Sequence, residues 1–421
     1  MPDRLRITAM TYGPHGLGRL GGKVVFVRGV APGEEVMVEI RERHESFDYA
    51  DVREWIQSVP ERREPPCDYL PRCGGCPWQH LIYAAQLEAK AVNLGDALRR
   101  IAGLPALKPL PILAAPQELG YRNRLTLRVD GGEIGFYAGG SHELVAVDHC
   151  LLASQDLAAG IPVVAELVRG LGGAVRRVEI ASRGFAPGLS VSAEVEGSLA
   201  DGDDCVVRDF LARSPVVAGV RLAGKRWSQV WGDGRIAVRP EPEIELITHA
   251  GSFTQVHEAA NQLLVRQVLE LGELGPEDTV LDLYAGAGNL TLPIARRVRR
   301  VVAVEQDIGA AADARGNAER LGLTNVEMIA ESARKALARQ VETGRYFDLV
   351  VLDPPRSGAA EALDSLLRLS PRKLIYVSCN PATLARDLKR LSRQYRVEVV
   401  QPIDLFPQTY HLEVVVRATR R

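Results

Sequence analysis

The spacing of apolar residues predicts a small β-domain at the start of the chain. Short apolar-rich runs cover residues 24–27, 35–40 and 49–55, and glycines separate them. Runs of this length bounded by glycine are typical of strands joined by tight turns. A region built in this way favours a five-stranded, OB-like barrel. We therefore predict such a barrel over residues 1–60.

The pattern changes at residues 61–66, a charged and proline-containing segment that is typical of a linker. Residues 81–104 then have the spacing of an amphipathic helix that ends at a glycine and a proline. From residue 120 to residue 247, apolar and polar positions alternate as they do in strands. This predicts an antiparallel, β-rich middle domain over residues 61–247, with helix 81–104 a candidate to pack on the domain that follows.

Strands and helices alternate regularly from residue 248 to residue 421. The predicted helices are 255–272, 290–297 and 308–322, and the predicted strands are 279–284, 300–305, 325–329, 347–352, 374–377, 396–400 and 412–417. Alternating units of this kind build parallel sheets covered by helices. We predict a Rossmann-like domain with a parallel, doubly wound sheet, and hence a multidomain α/β protein.

Composition and charge limit the class of protein further. The chain has 421 residues, 46% of them apolar, which suits two or three globular domains. No run reaches the roughly 18 apolar residues of a membrane span, and the first residues lack a signal-peptide core. We expect a cytoplasmic protein without a membrane partner. The net charge of −1 weighs slightly against a nucleic-acid partner, unless the arginine clusters form patches.

A glycine-containing turn follows the predicted strand 279–284. The turn holds Gly286 and Gly288, and Glu305 ends the next strand, where an acid can accept hydrogen bonds from ribose hydroxyls. A dinucleotide site would have a third glycine where this chain has Thr291. The pattern Asp-x-Tyr-x-Gly-x-Gly-Asn is similar to the S-adenosylmethionine loop of class I methyltransferases. A dinucleotide site and a structural turn are the alternatives.

Two further strand ends carry groups suited to covalent catalysis. Asp353 opens Asp-Pro-Pro-Arg after one apolar strand, and Cys379 follows the next strand in Ser-Cys-Asn-Pro. Methylation of uracil at C5 requires a thiolate that adds to C6, because C5 of the free base is a poor nucleophile. A general base must then remove the C5 proton. Glu413, at the start of the last apolar strand, is the candidate base, although a surface carboxylate is the ordinary reading of such a residue.

The order of these motifs resembles the RNA 5-methyluridine methyltransferase family, the uracil-C5 methyltransferases of ribosomal and transfer RNA. The resemblance implies that Cys379 is the nucleophile and Glu413 the general base. The residues that it assigns to S-adenosylmethionine or to the neighbourhood of its methyl group are Gln255, Tyr284, Asn289, Glu305 and Asp353. Residues 1–60 resemble the TRAM domain, an RNA-binding barrel, with a structural or protein-binding barrel as the alternative.

Four of the six cysteines form a second candidate site: Cys67, Cys73, Cys76 and Cys150. Four thiolates can hold zinc or a [4Fe–4S] cluster, and spacing of three plus one favours the cluster over zinc. It also matches the cluster-bearing ribosomal branch of the family. Radical S-adenosylmethionine enzymes are a rival, but their clusters leave one iron without a cysteine. Cys205 has no predicted role.

The resemblance implies an RNA substrate, with 23S ribosomal RNA favoured over transfer RNA by the combination of barrel and cluster. Arg122 and Arg124 match a basic motif of the family's middle domain and are candidates either for RNA contact or for a structural role. Two other functions remain open. One is a non-catalytic RNA-binding or assembly factor, and the other is an enzyme with a folate methyl donor and a flavin site. We expect a monomer.

Overall fold

The N-terminal region is a closed five-stranded barrel in the computed structural model, which describes residues 2–421. Its strands join in the order β1-β2-β3-β5-β4. They are β1 (Asp3–Met10), β2 (His15–Leu20), β3 (Lys23–Arg28), β4 (Glu35–Arg43) and β5 (Phe47–Gln57). Alternate apolar side chains of these strands fill the interior, as period-two alternation requires. Gly18 lets β1 and β2 approach, because a Cβ there would lie 2.4 Å from the carbonyl oxygen of Arg6. The predicted OB-like barrel is confirmed.

A seven-stranded sheet forms the middle of the molecule, in the order β12-β11-β10-β9-β6-β7-β8. Its strands are β6 (Arg124–Asp130), β7 (Glu133–Tyr137), β8 (Leu144–Ala146), β9 (Ala174–Ser182), β10 (Leu189–Glu196), β11 (Val217–Ala223) and β12 (Ser228–Gly232). Helices α2 (Gln155–Gly170) and α3 (Asp203–Arg213) cover one face. Every neighbouring pair is antiparallel except β10 and β11, which are joined through α3 and run parallel.

The C-terminal region is a second seven-stranded sheet, in the order β17-β16-β15-β18-β19-β21-β20. Its strands are β15 (Thr279–Leu283), β16 (Arg300–Glu305), β17 (Val326–Ala330), β18 (Leu349–Leu352), β19 (Lys373–Ser378), β20 (Tyr395–Ile403) and β21 (Glu413–Arg420). The helices that cover its two faces are α4 (Glu258–Gly272), α5 (Thr291–Ala295), α6 (Ile308–Arg320), α7 (Ala333–Glu342), α8 (Leu363–Leu369) and α9 (Pro381–Leu391).

The predicted α/β sheet is confirmed, but it is not parallel throughout. Strand β21 is antiparallel to both β19 and β20. Only residues 404–412 connect β20 to β21, and a parallel crossover needs a dozen residues or more. The short connection therefore reverses the last strand. As a result, β21 begins at the edge of the sheet where the parallel strands end.

Two elements from earlier in the chain pack on this C-terminal sheet. Helix α1 (Tyr83–Ala97) continues into a π-helical turn (Leu98–Ala102), and Leu94 and Leu98 share an apolar core with Leu384 of α9. The hairpin of β13 (Ile236–Glu241) and β14 (Ile244–Thr248) packs against α5 and α6. Within residues 2–421, no helix combines the length and apolarity needed to cross a membrane.

Candidate active site

One edge of the C-terminal sheet collects the predicted catalytic residues. Strand β15 pairs in parallel with β16 and β18, and β18 pairs in parallel with β19, so the carboxyl ends of all four strands meet there. The glycine-containing loop, Glu305, Asp353 and Cys379 follow or end these strands. Because the strand order reverses between β15 and β18, this edge is the switch point at which open α/β sheets bind ligands.

The antiparallel β21 brings Glu413 to the same edge. In the ladder between β19 and β21, Ser378 is paired with Val414. The next position along each strand is therefore Cys379 on one side and Glu413 on the other. The two groups interact electrostatically, because the charge of Glu413 helps to raise the pKa of the Cys379 thiol.

The glycine-containing loop has the backbone geometry of a ligand-binding turn. Tyr284 has φ of 64°, and Gly286 and Gly288 have φ of 55° and 102°. Positive φ at a tyrosine costs energy and is found mostly at functional sites. Glu305 braces the loop because its carboxylate accepts hydrogen bonds from the backbone N–H groups of Gly286 (2.9 Å) and Asp307 (2.8 Å).

Asp282 and Thr291 fix the base of this loop. The hydroxyl of Thr291 donates to Asp282 Oδ2 at 2.5 Å, and the other carboxyl oxygen of Asp282 has no partner among residues 2–421. Burial raises the pKa of Asp282 to about 7. The residue that replaces the third glycine of a dinucleotide motif therefore holds the strand end to the following helix.

Two side chains of the loop differ in how firmly they are held. Asn289 and Asn261 of α4 exchange amide hydrogen bonds of 2.8 and 2.9 Å. The Tyr284 hydroxyl is buried without a partner among the described residues, and burial raises its pKa to about 12. The Asn289 side chain is therefore held by hydrogen bonds. The Tyr284 hydroxyl, by contrast, is a donor without an acceptor among the described residues.

The loop that begins at Asp353 (the Asp353 loop) contacts helix α9, which follows Cys379, and also the segment before Glu413. Thr383 Oγ1 donates to the carbonyl of Arg356 at 3.1 Å, which connects the loop to α9. Arg356 Nη2 donates to His411 Nε2 at 3.1 Å. Since a guanidinium has no acceptor, His411 is neutral and carries its proton on Nδ1. Burial and the charge of Arg356 lower the pKa of His411 to about 3.

Three acidic groups at this edge, those of Cys379, Glu413 and Asp353, have raised pKa values and so hold their protons more tightly than they would in water. Burial raises the pKa of the Cys379 thiol to about 12, with Glu413 and Asp353 adding to the shift and the positive charge of Arg356 opposing it. Burial and the neighbouring Asp353 raise the pKa of Glu413 well above its ordinary range. Burial also raises the pKa of Asp353, to about 7. Arg356 is thus the cation that favours a thiolate at Cys379.

Helix α1 anchors the segment 404–412, which leads into Glu413. The ammonium of Lys90 donates to Asp404 Oδ1 at 2.7 Å and to the carbonyl of Phe406 at 3.1 Å, and both charged side chains are fully buried. Gln86 accepts a hydrogen bond of 2.8 Å from the backbone N–H of Gln408, which has φ of 70°. The predicted base therefore follows a segment fixed by buried polar contacts.

The barrel also reaches this edge, which sequence patterns did not indicate. Tyr12, in the turn between β1 and β2, donates its hydroxyl hydrogen to the carbonyl oxygen of Cys379 at 2.7 Å. No spacing rule connects residues that are 367 positions apart. The glycines around Tyr12 marked the turn, but nothing in the sequence showed where the turn would dock.

Gln255 lies in the segment between β14 and α4, and the middle sheet holds this segment in place. Asn123 N donates to the carbonyl of Val256 at 2.9 Å, and Asn123 Nδ2 donates to the carbonyl of Gln255 at 3.3 Å. Arg124 is buried and donates to the carbonyls of Ser252 and Thr254, both at 2.5 Å. These contacts favour the structural role for Arg124 over RNA contact.

Four cysteines line a second cavity, of about 460 Å³, between the barrel linker and the middle sheet. They are Cys67, Cys73, Cys76 and Cys150. Burial raises the pKa values of the Cys73, Cys76 and Cys150 thiols, and the neighbouring thiols add to the effect. Within residues 2–421, no three ligand side chains are arranged around the position of a single metal ion. Four thiols around one cavity are a donor set that can hold zinc or a [4Fe–4S] cluster.

Cys205 lies apart from both cysteine sites. It is exposed on α3 and makes no side-chain hydrogen bond within the described part of the chain. The structure therefore separates the six cysteines into a set of four, one at the catalytic edge and one on the surface.

The fold and the site define a Rossmann-like methyltransferase with a cysteine at its catalytic edge and an OB-like barrel attached. Residues 241–421 match the family described as tRNA (uracil-5-)-methyltransferase, and residues 4–52 match the TRAM domain. The chain belongs to this family of RNA uracil-C5 methyltransferases.

Relatives along the whole chain include enzymes named for ribosomal RNA. The 23S rRNA (uracil(1939)-C(5))-methyltransferase RlmD of Pectobacterium atrosepticum is 34% identical, over 97% of this chain and 92% of its own. The RlmD of Nitrosococcus oceani is 33% identical, over 98% and 95%. Among solved structures, the tRNA (uracil-54, C5)-methyltransferase of Pyrococcus abyssi, in complex with S-adenosyl-L-homocysteine, has a TM-score of 0.75 at 27% identity, with both chains fully covered.

Proposed function

We propose that this protein transfers the methyl group of S-adenosylmethionine to C5 of a uridine in RNA, with 23S ribosomal RNA as the favoured substrate. The observation that carries the proposal is the ladder between β19 and β21. It sets Cys379 and Glu413 at the ends of adjacent strands, beside the Asp353 loop. A nucleophile and a base on neighbouring rigid strands meet the geometric requirement of the reaction.

In the proposed reaction, the Cys379 thiolate adds to C6 of the uracil, and the electron pair of the C5–C6 bond moves into an enolate. C5 then attacks the methyl carbon of the sulfonium, and S-adenosylhomocysteine leaves. Glu413 removes the proton from C5. The electrons of the C5–H bond re-form the double bond, and the thiolate is expelled from C6. A uracil in a duplex must be unstacked to enter such a site.

The electrostatics of the edge support these roles. Arg356 is the positive charge that acts on Cys379 and Glu413, and it favours ionisation of both. Glu413 is buried and its Oε2 has no partner in residues 2–421, so this oxygen is free to accept a proton. A base with a raised pKa holds the abstracted proton more strongly than an exposed carboxylate.

For the methyl donor, we propose a site formed by Gln255, Tyr284, Asn289, Glu305 and Asp353. The braced loop, its positive backbone angles and the unpartnered Tyr284 hydroxyl support this assignment. The corresponding division of the chain is a TRAM barrel over 1–60, a middle domain over 61–247 and a methyltransferase domain over 248–421. The hairpin of β13 and β14 packs across the last of these boundaries.

We also propose that Cys67, Cys73, Cys76 and Cys150 hold a [4Fe–4S] cluster. Their common cavity and the electrostatic effect of the thiols on one another support this assignment. When bound, such a cluster would supply four strong iron–thiolate bonds that fix the linker against the middle sheet. Protein purified without oxygen should be brown and contain about four irons per chain. A colourless protein with one zinc ion would contradict the assignment.

The preference for ribosomal RNA rests on relatives. The RlmD enzymes are 33–34% identical to this chain, whereas the transfer-RNA enzyme of P. abyssi is 27% identical. We propose a monomer because both catalytic groups come from one chain, and a cytoplasmic location follows from the RNA substrate.

The test uses purified protein, methyl-labelled S-adenosylmethionine, and transcripts of 23S ribosomal RNA and of transfer RNA. Label should appear at C5 of a uridine, and faster on the ribosomal transcript. With 5-fluorouridine RNA a covalent complex should accumulate, because the base cannot remove fluorine from C5. Label on a ribose or on an exocyclic nitrogen would contradict the reaction. Faster labelling of transfer RNA would make transfer RNA, and not ribosomal RNA, the proposed substrate.

A further inference from the structure

The turn of the barrel that carries Tyr12 is built into the catalytic edge. Tyr12 Oη lies 2.7 Å from the carbonyl oxygen of Cys379. The Tyr12 ring meets the Tyr410 ring edge-on, with centroids 5.5 Å apart, and the His411 ring at 6.4 Å. The phenol therefore touches both the nucleophile loop and the segment that leads into Glu413.

Buried contacts hold this turn in place from behind. The indole N–H of Trp78 donates to the carbonyl of Gly13 at 3.0 Å, and Trp78 is fully buried. Met10, at the end of β1, packs in the same apolar cluster as Trp78 and Leu81. Because the residues on either side of Tyr12 are fixed, its ring is presented to Cys379 by a rigid support.

The charge state of the phenol suits a hydrogen-bond donor. Burial raises the pKa of Tyr12 strongly, and the negative charges of Cys379 and Glu413 add to this effect against the opposing charge of Arg356. The hydroxyl consequently keeps its proton over the working pH range. A protonated phenol beside a carbonyl donates to it and fixes the direction of that peptide group.

The peptide group that Tyr12 contacts is the one that follows the nucleophile. Its carbonyl belongs to Cys379, and its N–H, on Asn380, donates to Ser378 Oγ at 3.2 Å. Asn380 is also the N-cap of α9, and its side chain accepts hydrogen bonds from Ala382 and Thr383. The N–H side of this peptide is thus held from its own loop, while the C=O side is held by the barrel.

We infer that Tyr12 is a positioning residue of the active site, which holds the Cys379 backbone so that the thiol is aimed at C6 of the uracil. The inference rests on the proposed function for the identity of the reaction. It gives the barrel a part in the chemical step in addition to RNA binding. Small displacements of a reacting atom cost large factors in rate, so loss of one such contact is measurable.

Tyr12→Phe removes the hydroxyl and keeps the ring. Tyr395→Phe is the matched control, because its hydroxyl also donates to a carbonyl, that of Pro371 at 2.8 Å, and lies away from the site. For Tyr12→Phe we expect kcat and the rate of adduct formation with 5-fluorouridine RNA to fall about ten-fold. The Kd for RNA should stay within about two-fold of the wild-type value, since no RNA contact is assigned to the hydroxyl. Tyr395→Phe should leave both quantities unchanged.

A second measurement needs neither RNA nor methyl donor. Alkylation of Cys379 by iodoacetamide, followed by mass spectrometry of its peptide, reports the reactivity of the thiol directly. Tyr12→Phe should change this rate about three-fold or more relative to Tyr395→Phe. This readout applies even if Tyr12→Phe lowers the unfolding temperature, because both variants can be assayed well below it.

The outcomes separate the two hypotheses. Wild-type rates and wild-type alkylation in Tyr12→Phe would overturn the positioning role, as would a loss confined to the Kd for RNA. Wild-type protein that methylates no RNA would instead overturn the proposed function. The alkylation comparison would then still decide whether Tyr12 sets the state of Cys379.

Discussion

The two partly buried cysteine sites of this molecule place the same side chain among different neighbours. Cys379 stands alone at the catalytic edge, where Glu413, Asp353 and Arg356 act on it electrostatically. The four thiols of the second region share one cavity with largely apolar walls. Burial raises thiol pKa values in both regions, so burial does not distinguish a nucleophile from a ligand. The neighbours do, because a nucleophile needs a cation and a base whereas ligands need one another.

The largest effect should come from removing the lone thiol. Cys379→Ala should abolish methyl transfer and the covalent complex with 5-fluorouridine RNA, because no other group can add to C6. Iron content and the unfolding temperature should remain close to wild type, since the side chain lies at a strand end and not in a core cluster. The measurement is single-turnover transfer of labelled methyl groups. Residual transfer above a few per cent would mean that the C6 adduct is not required.

Removing a thiol from the four-cysteine cavity should leave Cys379 in place and destabilise the surrounding structure. If the proposed cluster is present, Cys150→Ser should remove most of the iron and lower the apparent unfolding temperature, because loss of one of four proposed ligands weakens the whole site. Cys205→Ser is the control, as this exposed thiol lies on α3. Iron analysis and differential scanning fluorimetry measure both effects. Full iron content in Cys150→Ser, or equal losses in both variants, would remove Cys150 from the ligand set.

The features of these regions that follow from local sequence pattern could be predicted, whereas contacts between segments far apart in the chain could not. The pattern of the sequence places Cys379 and Asp353 at the ends of predicted strands, and the parallel pairing of those strands brings both ends to one edge. The antiparallel β21 was missed, although the short segment 404–412 excludes a parallel crossover. The role of Tyr12 could not be predicted, since its contact with Cys379 depends on how the barrel docks. Local pattern carries no information about such docking.

Arg124 shows a second limit of sequence patterns. An arginine in a basic motif has the same pattern whether it contacts phosphate or carbonyl groups. In the structure it is buried, with the carbonyls of Ser252 and Thr254 as partners, and it thereby fixes the segment that carries Gln255. The donor capacity of a guanidinium was predictable, but the choice between internal and external acceptors was not.

The base at the catalytic edge offers the next prediction. Glu413→Gln should lower kcat by roughly 10²- to 10⁴-fold, the range for loss of a general base. Addition to C6 and methyl transfer should still occur, so a covalent complex should build up on ordinary uridine RNA. Denaturing electrophoresis with labelled RNA detects that complex. A slow variant without any complex would indicate that Glu413 acts before the methyl group is transferred.

The smallest effect concerns stability, and its sign follows from the raised pKa of Glu413. Below the ordinary pKa of about 4.5 the carboxyl is protonated in both the folded and the unfolded chain. As the pH rises, the unfolded chain releases the proton first, so the folded state loses stability until its own carboxyl ionises. Glutamine has no proton to lose. Glu413→Gln should therefore gain stability relative to wild type as the pH rises from 4 to 8.

Glu398 provides the control with the opposite sign. Its burial alone would raise its pKa, but the hydrogen bond from Arg396 and the charge of Arg417 lower it. Glu398→Gln should consequently lose stability relative to wild type as the pH rises toward the ordinary carboxyl pKa of about 4.5, and the difference should stay constant above it. Urea unfolding of both variants between pH 3 and pH 8 measures the two trends. A Glu413→Gln difference that does not change with pH would show that the folded protein does not raise the pKa of Glu413. The carboxyl would then be ionised in the resting site, and the raised proton affinity that supports Glu413 as the base would be absent.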